Sequence, residues 1–145
     1  MFESLATHAD ADLILKLYEL RTEATMREAR AWMASRFFPQ TAKEFFAVTT
    51  ARTAPENAWF RQVTSYWEMA AALVLHGALN AELFVDCNAE PFFLYAKFLP
   101  LLPEIRKKMP GFLIKVEQLV EQSPVAQAKM QQAANNLAAM PAARK

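Results

Sequence analysis

Four polar side chains, Arg61, Ser65, Glu68 and His76, fall on one strip of a segment whose apolar spacing predicts a helix. At 100° per residue they lie within about 80° of one another, with Ala72 filling the gap. A carboxylate and an imidazole on one face could act as a general base or as metal ligands. Helical rise opposes a shared site: Glu68 and His76 are eight positions apart, about 12 Å along the axis, whereas one zinc ion needs its ligands within about 2.0 to 2.3 Å. Two structural readings compete with the catalytic one. The strip is a solvated edge, or it forms a partly buried ion-pair network with Arg27, Glu28 or Arg30, in which desolvation offsets much of the Coulomb gain.

Other chemistry-bearing residues are sparse. His8, Asp10 and Asp12 alternate near the N-terminus and could hold a cation only weakly, so cap and solvent roles come first. The single cysteine, Cys87, excludes an internal disulfide and a Cys-pair zinc site. It has no cation beside it in the chain to depress its thiol pKa, which favours a structural cysteine. There is no Gly-x-Ser-x-Gly elbow, and the two glycines, Gly77 and Gly111, cannot build a phosphate-cradling loop or a dinucleotide fingerprint. No metal and no cofactor is expected.

Aromatic residues carry more information. Phe37-Phe38, Phe45-Phe46 and Phe92-Phe93 are adjacent pairs, joined by Trp59, Tyr66 and Trp67. Neighbours on a helix diverge by about 100°, so both members of a pair meet one core only if that core wraps widely. Aromatic surface left over would close a homodimer interface, receive a partner helix, or line a pocket for an apolar small ligand.

The elements that must position these residues are helices, because apolar residues between the prolines recur at three and four. The first is expected from about Asp10 to Ser35 as one continuous rod, with Thr25-x-x-Glu28 as a competing restart. Thr41 caps a short helix to about Thr50. Thr53-Ala54-Pro55-Glu56 reads as a Thr cap with Pro in the first turn, opening a helix to about His76 that Gly77 stops. Because it is apolar all round from Met69 to Leu75, this helix is expected at the centre. Leu79 to Val85 adds a turn or two before an Asp86-Cys87-Asn88 turn. Further helices are expected over Ala89 to Leu99, Leu101 to Lys108 and Phe112 to Gln122, and Ser123-Pro124 opens a last one rich in alanine. That last helix buries little area and is expected to detach most easily.

Composition bounds the function. The chain has 145 residues, 54% hydrophobic and 21% charged, with 16 basic against 15 acidic side chains. This fits a single domain over 1–145, frayed at 1–9 and 141–145. The balanced charge offers no field for nucleic acid. Residues before Asp12 include Glu3 and Asp10 but no Lys or Arg, the reverse of a secretory n-region, and the longest stretch without charge, 69–81, is too short to cross a bilayer. A cytoplasmic location follows as the expectation. Membrane attachment through Pro91 to Pro103, an apolar run broken only by Lys97, is a third possibility.

The segment 66–77 (Tyr66-Trp67-Glu68-Met69-Ala70-Ala71-Ala72-Leu73-Val74-Leu75-His76-Gly77), with Leu17-Tyr18-Glu19-Leu20-Arg21 before it and Tyr95-Ala96-Lys97 after it, resembles a family of small uncharacterised bacterial all-helical proteins. The resemblance covers roughly 10–120, implies a helical fold and a bacterial source, and carries over no functional residue. The expected architecture is therefore all-α, an irregular or orthogonal bundle of six to eight helices around a central helix at about 56–76. The expected function is that of a non-enzymatic binding module that self-associates as a dimer through Phe37, Phe38, Phe45, Phe46, Phe92 and Phe93. The alternative is a ligand-binding or hydrolytic pocket beside Arg61, Glu68 and His76.

Overall fold

The computed structural model describes residues 5–140 and is all-α. A capping box opens α1 (His8–Arg21): Thr7 Oγ1 accepts from the Asp10 amide, and Asp10 returns the bond to the Thr7 amide. The expected continuous first rod is broken. Thr22 closes α1 by donating to the Glu19 carbonyl, and the Glu23 carboxylate accepts the Thr25 and Met26 amides to start α2 (Ala24–Ser35). The residue that restarts the helix is thus Glu23, not Thr25.

Thr41 caps α3 (Ala42–Thr49) as expected, with the Glu44 amide donating to its hydroxyl. The N-cap of the central helix α4 (Pro55–Leu75) lies one residue later than expected: Ala54, not Thr53, holds that position and no side chain caps it. Pro55 needs no donor there. Gly77 ends α4 at φ +81°, with its amide on Val74 O and that of Ala78 on Leu73 O, a Schellman motif that requires left-handed backbone.

The second half is a series of short helices: α5 (Ala81–Cys87), α6 (Glu90–Phe98), a 3-10 turn at Leu99–Leu101, α7 (Leu102–Lys108), α8 (Ile114–Gln122) and α9 (Pro124–Ala138). Asp86 and Cys87 belong to the last turn of α5, and Asn88 is its C-cap. Ser123 caps α9 by accepting the Ala126 amide.

Around α4 the main neighbours are α2 and α8, with α3 and α5 also in contact. α4 buries Phe60, Val63, Trp67, Ala70, Ala71 and Val74. α6 is a second hub, burying every residue from Pro91 to Phe98 except Phe93, and α9 lies along it on the small residues Ala126 and Ala133. An aromatic cluster joins the two halves. Phe37 stacks on Trp32 at 4.7 Å, and Phe45 meets Phe60, Phe98 and Phe112 edge-on at 5.2, 5.5 and 5.2 Å. Among the described residues no helix is long and apolar enough to cross a membrane. Most of the Pro91–Pro103 run is spent on the core, from Pro91 to Phe98 and at Leu102, while Leu99, Pro100 and Pro103 stay exposed.

Candidate functional site

The polar strip of α4 does not form a shared site. Arg61 Nε donates to Asn57 Oδ1 at 3.0 Å, while Asn57 Nδ2 donates to the Val48 and Thr49 carbonyls, both at 3.0 Å. Arg61 therefore orients the buried amide that closes the C-terminus of α3. Ser65 donates to its own helix at Gln62 O, and His76 is the exposed C-cap of α4.

Glu68 is spent elsewhere. Its Oε1 accepts the Lys115 amide (3.1 Å) and its Oε2 the Val116 amide (2.9 Å). These are among the four donors a helix leaves unsatisfied at its start. The N-cap of α8 is Leu113, fully buried, left-handed at φ 54° and unable to offer an acceptor. Glu68 is thus a cap supplied from another helix, with its charge at the positive end of the α8 dipole. Among the described residues the strip forms no ion-pair network with Arg27, Glu28 or Arg30, and Arg30 pairs with Glu90 instead.

Each phenylalanine doublet is divided between core and rim. Phe37, Phe45 and Phe92 are buried, whereas Phe38, Phe46 and Phe93 are half-buried. The rim members lie under cations: Lys108 Nζ is 5.0 Å from the Phe46 ring, and Lys97 Nζ is 4.7 Å from Phe38 and 5.9 Å from Phe93. Each doublet thus offers one partly covered ring at the surface rather than two. The large apolar side chains that remain exposed are elsewhere: Leu5 just before α1, Leu15, Tyr18 and Leu20 on it, and Met69 and Leu99.

Lys97 is the residue that sequence reasoning undervalued. It projects from the buried α6, and its Nζ donates to the Met33 carbonyl in the last turn of α2 and to the Phe37 carbonyl at 2.9 Å. Burial pushes its amine down to about 7, against an upward pull from the Glu90 charge. The Phe37, Phe38, Phe93 and Phe98 rings surround it. A groove of about 330 Å³ opens beside it between the Phe38–Gln40 loop, the 3-10 turn and α9. The signal was present in the chain as one cation inside an apolar run.

A second polar node joins α2, α4 and α6. The Arg30 guanidinium grips both oxygens of Glu90, at 2.8 to 3.1 Å, and Trp67 Nε1 donates to Glu90 Oε2 at 2.9 Å. Arg21 stacks over the Tyr18 and Trp67 rings at 5.0 and 5.5 Å. Arg21, Arg30, Glu90 and the exposed Cys87 line one shallow cleft, so folding brings cations to a cysteine that has none beside it in sequence. Near the N-terminus, Asp10 also accepts the Asn80 amide at 2.9 Å, which ties α1 to the start of α5 and uses the carboxylate considered for a cation. Its hydrogen bonds to the Thr7 and Asn80 amides hold it below the usual carboxylate range.

No curated protein and no solved structure is significantly similar to this chain. A family model does match, over residues 6–123, from the capped start of α1 to the residue that caps α9. The chain belongs to that family, described as a domain of unknown function (DUF4760), and α9 lies beyond the matched span.

Proposed function

We propose that the protein is a non-catalytic helical binding module that self-associates, with α1 rather than the phenylalanine doublets as its contact surface. The observation that carries this reading is the exposure of α1, where Leu15 and Tyr18 are 65% and 58% exposed on a helix that buries only Leu17. Ala11, Leu15 and Tyr18 share one face at spacings of four and three. In an antiparallel pair about a twofold axis, Ala11 of one copy meets Tyr18 of the other and Leu15 lies near its mate. Small then faces large, and the contact is self-complementary. A helix of 14 residues gives a seam about 21 Å long, below the size of a standard interface, so the dimer is weak and forms in the micromolar range.

Sedimentation equilibrium tests this reading. The wild-type chain should associate at micromolar concentration, and Leu15→Asp should shift it to monomer without loss of helix content. A wild-type chain that stays monomeric at high micromolar concentration would overturn the proposal.

A further inference from the structure

The groove beside Lys97 combines two features that point to a ligand class. Its walls are mostly apolar, with Phe38, Leu99, Leu101, Met130 and Leu137 among the lining side chains. Lys97, itself more than nine-tenths buried, is among its lining residues. Two of the three ammonium donors of Lys97 go to the Met33 and Phe37 carbonyls, and the Phe38 ring beneath the nitrogen also lines the groove. An ammonium removed from water gains most from an anion brought to it in a low-dielectric setting. The α9 residues that line the same groove, Met130, Ala134, Leu137 and Ala138, carry no charge, nor does the Phe38–Gln40 loop. Glu90, on its own helix, is the charged group that acts on it.

We propose that this groove binds an aliphatic carboxylate, the carboxylate pairing with Lys97 and the hydrocarbon tail lying along Leu99, Leu101, Met130 and Leu137. The volume of about 330 Å³ holds about eleven groups of water size, which suits an eight-carbon acid with about ten non-hydrogen atoms. Pockets of this size lie at the small end of ligand sites.

Octanoate is the probe, and titration calorimetry at pH 8 is the measurement. Octanoate should bind with a Kd on the order of 0.1 mM. The uncharged 1-octanol, with the same tail, should bind at least about tenfold more weakly. Lys97→Met should remove that difference, leaving the two ligands equal. Because the amine is largely neutral at pH 8, pairing with a carboxylate makes it take up most of a proton, which appears as a dependence of the heat on the buffer. Ala134→Phe, which fills the groove from the half-buried face of α9, should abolish octanoate binding and keep the fold. Equal binding of octanoate and octanol to the wild type, no proton uptake, or no octanoate binding at millimolar concentration would each overturn the proposal.

Discussion

Removing the Glu68 carboxylate tests the assignment of this side chain as the cap of α8. Hydrogen bonds to a charged acceptor contribute about 1.5 to 3 kcal/mol each when fully buried, but Glu68 is half-buried and water can reach part of what it leaves. Deleting a helix cap costs about 0.5 to 2 kcal/mol. With two amides orphaned beside a left-handed, buried Leu113, Glu68→Ala should cost about 2 kcal/mol, at the upper end of that range. Glu68→Gln keeps one acceptor and loses the charge–dipole attraction, so about 1 kcal/mol is expected. For 145 residues the unfolding entropy is about 0.3 kcal/mol/K, which makes the alanine variant melt about 7 °C lower. Far-UV circular dichroism during heating and urea titration both read this, with the midpoint moving and the slope unchanged. Arg61→Ala should cost less than Glu68→Ala, and His76→Ala should stay within about 0.5 kcal/mol of wild type. A Glu68→Ala variant as stable as His76→Ala would refute the capping role and restore the solvated edge.

Two further outcomes follow from the core. Lys97 sheds its proton near 7 in the folded chain but at the ordinary 10.5 when unfolded. The unfolded state therefore holds more protons between those values, and stability rises with pH across that window, by about 2 kcal/mol from pH 7 to 9. Urea midpoints of the wild type minus those of Lys97→Met should show this slope, and a flat difference would contradict it; Tyr95, pushed up to about 12 by burial beside Glu117, stays protonated throughout. Within one doublet, Phe45→Ala should cost about 3 to 5 kcal/mol, whereas Phe46→Ala, half-buried under Lys108, should cost about 1 kcal/mol. Equal losses would mean that the core wraps both rings.

Local signals made most of the helices legible. Pro55 and Gly77 bracket α4 because one lacks a donor and the other tolerates positive φ, and both properties belong to the residue itself. Ser123-Pro124 and Thr41 act in the same way at α9 and α3. The break after Arg21 was less visible, since Thr25-x-x-Glu28 advertises a cap that Glu23 provides by accepting two amides with its own carboxylate. The site was harder still. Spacing put Arg61, Ser65, Glu68 and His76 on one strip, yet the partner of Glu68 lies 47 and 48 positions along the chain and that of Arg30 lies 60 along. Periodicity reports which face a residue occupies, not which distant backbone reaches it.

A bundle cut into short helices explains where the polar side chains went. Every helix leaves donors at one end and acceptors at the other, and short helices leave many such ends per buried residue. Interior ends cannot be met by water, so side chains from neighbouring helices must meet them. Asn57 serves the end of α3, Glu68 the start of α8, and Lys97 the end of α2. The same demand that makes a residue look catalytic in sequence, a lone charged group within an apolar helix, is met here by backbone. Lys97 differs from the other two in one respect that matters for binding. It discharges its capping duty with two donors, which the neutral amine also possesses, and so can take up a proton without breaking either bond, the property on which the proposed carboxylate binding rests.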